Sequence, residues 1–137
     1  MAYWLLKSEP VKYSWDQMVK DQRTHWDGVR NFQAVANMRA MKKGDRAFFY
    51  HSNEGKEIVG VVEIVKPFYL DPSDGSGKFG LVDIAPLVPA GKPVSLAEMR
   101  QIPELAGMAL LRQSRLSVCP VSDGEWQVIC RIGDIKG

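Results

Sequence analysis

The sequence predicts an α+β, mainly β fold: a small curved β-barrel of about five or six strands with short peripheral helices. Two observations predict it. Segments rich in β-branched and aromatic residues recur along the chain and are separated by turn residues. The helical patterns between them are short, and the long crossover helices that a parallel sheet requires are missing from the pattern. The 137 residues suffice for one domain, residues 1–137, whose core needs no disulfide or metal.

Five segments are expected to be strands: Tyr3–Lys7, Asp45–His51, Ile58–Lys66, Phe79–Val88 and Leu116–Val121. The second is rich in aromatic residues, the third is a near-continuous β-branched run, and the fourth alternates loosely. The residues Asn53–Lys56 predict a tight hairpin between the second and third of these strands. The polar, glycine-rich stretch Asp71–Gly77 predicts a loop between the third and the fourth.

Three helix starts are predicted from serines that are followed three residues later by Glu or Gln. In this capping box the serine and the later side chain each satisfy a backbone N–H. The pairs are Ser14 with Gln17, Ser95 with Glu98, and Ser122 with Glu125. A fourth helix is expected over Asn31–Met41, because the pattern stops at a lysine pair followed by glycine.

The composition excludes several classes of protein. The formal net charge is only +2, which favours a pocket over a broad electrostatic surface for duplex DNA. The two cysteines, Cys119 and Cys130, form no CxxC motif, and together with His25 and His51 they do not form the Cys/His cluster of a structural zinc site. We therefore expect no metal, no cofactor, and two reduced cysteines.

The chain carries no pattern of a signal peptide or of a membrane span. Its first apolar run, Tyr3–Leu6, is far shorter than the hydrophobic region of a secretory signal. No stretch approaches the ~18 apolar residues of a transmembrane helix. A cytoplasmic protein without a membrane partner is the expectation.

Four clusters of chemically capable residues are predicted to lie at strand ends or in neighbouring loops, where ligand pockets of small barrels open. They span residues 7–10, 26–31, 48–53 and 112–116. Trp26 and Tyr50 offer rings on which a nucleobase can stack. Trp26 is as compatible with a core position as with a site, and His51 with a purely structural hydrogen bond.

The polar side chains of these clusters suit the edge of a base such as cytosine. Acceptors for its amino group are Ser8, Glu9 and the Asn31 carbonyl, and donors are Arg30, Ser52 and the Asn31 amide. Cations that could meet phosphates are Arg39, Lys42, Lys43, Arg112 and Arg115.

The amino-acid sequences of these clusters closely resemble the motifs of the EVE domain family, a branch of the PUA-like fold. The matching motifs are YWLLKSEP from Tyr3, WDGVRN from Trp26, FYHS from Phe49 and RQSRLSV from Arg112, and the resemblance extends to about Trp126. It implies a PUA-like curved β-barrel and a pocket for a modified base, with a link to cytosines altered at the 5-position. It implies base-binding roles for Ser8, Glu9, Trp26, Arg30, Asn31, Tyr50, His51, Ser52, Ser114 and Arg115.

The chain departs from the family pattern at a few positions. Phe32 stands where tyrosine is expected, and Val35-Ala36 where an Arg-Asn pair is expected, which weakens the case for phosphate contacts on that helix. Phe79 lies in a region where tryptophan is common, and this exchange is interpreted as a change in packing.

Three functions follow as hypotheses. The first is a non-enzymatic module that recognises a flipped modified base, with 5-modified cytosine in DNA as the expected target and a separate nuclease or modification enzyme as a further partner. The second is an RNA-binding PUA-like module. The third is an RNA hydrolase or nucleoside-processing enzyme that uses Lys7, Glu9 and His51 as charge clamp, acid and base.

Overall fold

The structure, a computed structural model, describes residues 1–26, 29 and 31–136. Its six strands are β1 (Tyr3–Ser8), β2 (Thr24–Trp26), β3 (Arg46–His51), β4 (Glu57–Leu70), β5 (Gly80–Ser95) and β6 (Val118–Val121). Its five α-helices are α1 (Trp15–Asp21), α2 (Phe32–Ala40), α3 (Leu96–Arg100), α4 (Ala109–Arg112) and α5 (Asp123–Ile132). A 3-10 turn covers Pro103–Leu105.

The strands form one mixed sheet in the order β2-β5-β4-β3-β1-β6. All neighbours are antiparallel except β1 and β3, which run parallel with Tyr3 opposite Arg46 and Ser8 opposite His51. Because parallel strands end at the same edge of a sheet, the last residues of β1 and β3 lie side by side.

The sheet is strongly curved. Trp26 on β2 lies three strands away from Phe49 on β3, which is roughly 14 Å in a flat sheet. Yet the centroids of the two rings are only 5.8 Å apart. Several register irregularities interrupt the long β4–β5 ladder, and such bulges bend strands. The curvature brings the β2 edge back over the end of β1.

The helices begin where their serines predicted. The hydroxyls of Ser14, Ser95 and Ser122 each accept a hydrogen bond from the backbone N–H three residues later. At Ser122 the reciprocal bond is also present, because the Glu125 carboxylate accepts from the Ser122 backbone N–H at 2.9 Å. Helix α2 is capped in the same manner by the Asn31 side chain.

Large aromatic side chains fill much of the core. Phe48 of β3 stacks on Trp126 of α5 with ring centroids 3.9 Å apart, and Tyr3 stacks on Trp126 at 4.2 Å. The Trp4 indole N–H donates to the buried Asp45 carboxylate at 3.1 Å. Trp15 of α1 is also buried, and it packs over Gly60 of β4.

The predicted fold class is confirmed: a PUA-like, curved, mixed sheet of six strands with short helices around it. The predicted strand ends are less accurate. β4 and β5 run four and seven residues beyond Lys66 and Val88, and the sequence did not predict β2, α4 or the 3-10 turn. Among the described residues, no helix is long and apolar enough to cross a membrane.

Candidate functional site

The candidate site lies at the rim where β1 and β3 end. Lys7 is the register partner of Tyr50, and Ser8 of His51. The Ser52 backbone N–H donates to the Ser8 carbonyl at 2.8 Å, which extends the parallel pairing by one step. Two cavities open beside this rim, and Lys7 lines both of them.

The first, which we call the Trp26 cavity, has a volume of about 480 Å³. Its walls come from the end of β1, the turn that follows it, and strand β2. It combines two rings with cationic, acidic and hydroxyl side chains, and its lining residues are Lys7, Ser8, Glu9, Lys12, Tyr13, Thr24, His25 and Trp26.

The Trp26 indole is held by two rings that meet it edge-on. Its centroid lies 5.8 Å from that of Phe49 with planes inclined at 74°, and 6.4 Å from that of Tyr13 at 68°. Among the described residues no aromatic ring is stacked on the indole. Trp26 is therefore a fixed aromatic wall that retains the capacity to stack on a planar ligand.

Tyr13 is positioned by the turn that follows β1. The Glu9 carbonyl accepts from the backbone N–H groups of Lys12 and Tyr13, both at 2.9 Å. The Ser8 hydroxyl donates to the Tyr13 carbonyl at 2.6 Å. The Tyr13 hydroxyl donates to Asp21 at 2.8 Å, and burial together with this carboxylate raises the pKa of the phenol. Ser8 therefore shapes the cavity wall through Tyr13.

Glu9 supplies a carboxylate at the cavity. Among the described residues it forms an ion pair with the Lys12 ammonium at 3.4 Å, and the Lys12 side chain is 77% exposed. Exposed pairs of this kind contribute little to stability, so Glu9 can exchange this partner for a ligand donor at small cost.

The second, which we call the Tyr50 cavity, has a volume of about 270 Å³ and lies between the ends of β1 and β3, the β3–β4 hairpin, and helices α3 and α4. Its lining residues are Lys7, Tyr50, Ser52, Asn53, Lys56, Leu96, Arg100, Leu110 and Ser114. The Lys7 ammonium donates to the Ser114 carbonyl at 2.8 Å. Burial lowers the pKa of Lys7 and raises that of the Tyr50 phenol.

His51 has a structural contact. Its Nε2 accepts from the backbone N–H of Trp15, the first residue of α1, at 3.1 Å. Burial lowers the pKa of the imidazole, consistent with the neutral form that this bond requires. His51 is not among the lining residues of either cavity. Its bond ties α1 to the end of β3.

The remaining predicted base-binding residues lie apart from the two cavities or outside the described residues. The Asn31 side chain accepts from the Ala34 backbone N–H at 3.0 Å as the cap of α2. Arg115 is exposed in the turn before β6. Arg30 lies outside the described residues. The sequence thus predicted one pocket, whereas the structure distributes its residues over two cavities and several supporting contacts.

The predicted phosphate-binding residues are scattered. Arg112 is exposed at the end of α4, close in sequence to Ser114. Arg39 lies over the Phe68 ring at 4.3 Å. Lys42 and Lys43 precede β3, so the length of that six-residue strand, roughly 17 Å, separates them from the rim. Their phosphate contacts stay predictions, and those of the two lysines would be remote from both cavities.

Several cavity residues were missed by the sequence analysis. Tyr13 and Arg100 sit next to helix caps and carry no motif of their own, and Thr24 belongs to a strand that was not predicted. Lys7 was considered only as part of an enzyme, although its position directly before Ser8 was a usable signal.

A larger groove of about 670 Å³ lies away from this rim, between α1 and β5. Trp15, Val19 and the segment 86–89 supply most of its wall. It lacks the convergence of rings with fixed donors and acceptors that marks the Trp26 cavity, and we therefore place the site at the rim. Across residues 1–26, 29 and 31–136, no group of three His, Cys, Asp or Glu side chains could hold a metal ion.

Comparison with known proteins adds a family and solved relatives. The family model described as "EVE domain" matches residues 2–132. Thymocyte nuclear protein 1 of Rattus norvegicus is 36% identical over 168 residues, covering 98% of this chain and 74% of that protein.

Two solved structures have closely similar folds. One, a Rhodopseudomonas palustris protein solved by NMR, is 54% identical with a TM-score of 0.94, covering 98% of this chain and 94% of that one. The other is human THYN1 in complex with DNA containing 5-methylcytosine. It is 32% identical with a TM-score of 0.89, and the match covers 100% of both chains.

Proposed function

Since the chain belongs to the EVE domain family, we propose that it is a nucleic-acid-binding module, a single domain over residues 1–137, whose Trp26 cavity receives one flipped base. We further propose that the base is a cytosine modified at its 5-position in DNA. The observation that carries the proposal is a fixed indole at the wall of a polar cavity. The complex of a relative, human THYN1, with DNA containing 5-methylcytosine supports the choice of ligand.

The Trp26 cavity has the size and the walls for a base. Its volume of about 480 Å³ falls within the ~300–1,000 Å³ of ordinary small-molecule sites. Removing a base from its stack costs a few kcal/mol, and stacking on an aromatic ring returns roughly 1–3 kcal/mol. Stacking on Trp26 therefore offsets much of the flipping cost, and polar contacts must supply the remainder.

Polar groups of the same cavity match the edge of cytosine. In this proposal the Glu9 carboxylate, which lines the cavity, accepts from the exocyclic amino group. The Thr24 hydroxyl and the Lys12 ammonium are donors for the ring nitrogen and the carbonyl oxygen. In this proposal Ser8 and Asn31 act indirectly, since their side chains already bond to the Tyr13 carbonyl and the Ala34 N–H.

The 5-methyl group by itself adds a modest preference. Burial of one additional carbon contributes about 0.8 kcal/mol, or about a fourfold gain in affinity. A stronger preference for modified over plain cytosine requires a difference in the cost of flipping or a polar contact to the modification.

The contacts of Lys7, Glu9 and His51 favour binding over turnover. His51 Nε2 already accepts a backbone hydrogen bond, and Lys7 Nζ donates to a carbonyl. Because of these bonds, neither His51 nor Lys7 is positioned to act together with Glu9 as acid or base on one reacting group. We therefore propose that chemistry on the bound nucleic acid belongs to a separate nuclease or modification enzyme.

The test compares Trp26→Ala with Phe32→Ala. Phe32 is 67% exposed and stacks on Phe79 outside the cavity, so its variant controls for the loss of an aromatic side chain. Affinities are measured by fluorescence anisotropy for duplex DNA with 5-methylcytosine or plain cytosine, and for RNA of the same sequence. We expect Trp26→Ala to weaken binding of the modified duplex roughly 5- to 150-fold, and Phe32→Ala to have little effect.

Fluorescence of 2-aminopurine next to the target site reports whether the base leaves its stack. Equal affinity of the unaltered protein for modified and plain DNA would refute modified-base recognition. Tighter binding of the RNA would assign the cavity to a splayed RNA base instead.

A further inference from the structure

The lining of the Tyr50 cavity is unusually cationic. Lys7, Lys56 and Arg100 contribute positive side chains, and its described lining residues include no carboxylate. Within the part of the chain that the structure describes, Lys56 and Arg100 form no ion pair, and Lys7 contacts only a neutral carbonyl. Three uncompensated cations around one concave space produce a focused positive potential that attracts an anion.

Neutral hydrogen-bond donors line the same space. The hydroxyls of Ser52 and Tyr50 and the amide of Asn53 belong to its wall. Burial raises the pKa of Tyr50, so the phenol keeps its proton and can donate. Several donors together with cations are the arrangement that a tetrahedral oxyanion requires, since it offers acceptors in all directions.

The Tyr50 cavity is the smaller of the two cavities at the rim. Its volume of about 270 Å³ is below the ~300 Å³ at which ordinary small-molecule sites begin. The Trp26 cavity is larger, at about 480 Å³, and has the aromatic wall that a base needs. The two cavities are thus suited to different parts of one nucleotide, and Lys7 lines both.

The hairpin that carries Lys56 is fixed in place. Lys56 adopts a left-handed backbone conformation with φ 47°, which lysine rarely does. Its carbonyl accepts from the backbone N–H of Leu96 at 2.8 Å, at the start of the helix that ends with Arg100. The backbone segments that carry the two cations are therefore held relative to each other before any ligand binds, and this lowers part of the entropic cost of binding.

We propose that the Tyr50 cavity binds a phosphate group of the nucleic-acid strand whose base occupies the Trp26 cavity. This inference rests on the proposed function for the identity of the strand. It reassigns Tyr50, Ser52 and Ser114 from the base to the phosphate, and it adds Lys56 and Arg100 as binding residues.

The test uses the double variant Lys56→Gln/Arg100→Gln. Both side chains are exposed, so the fold should persist, and thermal unfolding verifies it. The matched control is Arg131→Gln/Lys136→Gln, which removes two exposed cations near the C-terminal end of α5, outside the cavities described above. Calorimetry measures the binding of 5-methyl-2′-deoxycytidine, its 5′- and 3′-monophosphates, and inorganic phosphate.

We expect one of the monophosphates to bind the unaltered protein at least about tenfold more tightly than the nucleoside, because of charge-assisted contacts. The Lys56→Gln/Arg100→Gln variant should lose this gain and keep its affinity for the nucleoside. The control variant should keep both. With oligonucleotides, the slope of log Kd against log salt should fall by about one in the double variant.

Two arms identify the source of the phosphate. A methylphosphonate replacing the phosphodiester on the side of the modified cytosine, 5′ or 3′, whose monophosphate gave the gain should weaken binding if the cavity holds an internal backbone phosphate. If only a terminal phosphate or inorganic phosphate gives the gain, the backbone assignment is overturned.

The outcomes separate this inference from the proposed function. Nucleoside binding with no gain from phosphate, and an unchanged salt slope in the double variant, would overturn the phosphate site and leave base recognition standing. No nucleoside binding and no preference for modified DNA would overturn the base reader. In that case, inorganic phosphate failing to shift the amide resonances of Ser52 and Lys56 would overturn the anion site as well.

Discussion

Substitution of Gly60 tests how the packing of α1 supports the candidate site. A Cβ atom at this position would lie 2.5 Å from Trp15 Cη2 and 2.7 Å from both Cζ2 and Cζ3. Carbon atoms in contact are normally ~3.5–4.0 Å apart, so the overlap is about 1 Å. Because the three atoms belong to one buried ring, the indole must move as a whole.

The indole has little room to move. Its ring packs against Phe49 with centroids 5.8 Å apart, and the Trp15 backbone N–H is bonded to His51. Overpacking of a rigid core site costs about 1–3 kcal/mol, and we expect Gly60→Ala to lower the free energy of unfolding by that amount. The displaced helix would also shift Tyr13, which precedes the N-cap residue of α1 and lines the Trp26 cavity.

A double-mutant cycle measures the effect. Urea unfolding followed by circular dichroism gives the free energy of unfolding for Gly60→Ala, Trp15→Leu and the double variant. Trp15→Leu alone should cost about 2–4 kcal/mol through the space it leaves. In the double variant the new methyl group fills part of that space. The double variant should therefore lose less unfolding free energy than the sum of the two single variants, by at least about 1 kcal/mol. Additive costs, or a Gly60→Ala variant as stable as the parent, would refute the reasoning.

Two further predictions concern buried polar contacts. Burial lowers the pKa of His51 below its unfolded value of 6.5, so its contribution to stability is complete above that pH and is lost as the pH falls below it. His51→Gln should therefore flatten the dependence of unfolding free energy on pH below about pH 6.5, and an unchanged pH dependence in urea unfolding experiments would contradict this. The buried Asp45 carboxylate accepts from the Trp4 indole and from the backbone N–H groups of Ala2 and Lys42. Asp45→Ala should cost about 2–4 kcal/mol by leaving these donors without partners, Asp45→Asn should cost less, and the same unfolding measurement would contradict us if the two variants were equal.

The elements that the sequence predicted well are those with a local physical cause. The serines before α1, α3 and α5 cap helices because their hydroxyls bond to nearby backbone groups, which needs no tertiary information. The β-branched run from Ile58 was predicted as a strand because such side chains fit a pleated, half-buried sheet.

The elements that were missed depend on distant partners. Strand β2 is three polar and aromatic residues long and exists because it pairs with β5. The prolines of β5 argue against a long strand, yet the strand reaches Ser95 through an irregular ladder with β4.

The same limit applies to the candidate site. Residue types and motifs brought Ser8, Trp26 and Tyr50 to attention, but not their division between two cavities. That division depends on where each side chain points and on what it already bonds. Ser8, Asn31 and His51 have the chemistry of ligand contacts and use it to hold the backbone, which no local pattern distinguishes.

Because β1 is an inner strand, removal of the amino-terminal residues would disrupt the sheet. This strand lies between β3 and β6, and in the described sheet it is the sole neighbour of β6. Deleting the first eight residues would remove the pairing partner of β6 and expose the hydrogen-bonding edge of β3. An exposed edge of this kind can pair with a strand of another molecule. A shortened protein should therefore self-associate instead of merely losing affinity.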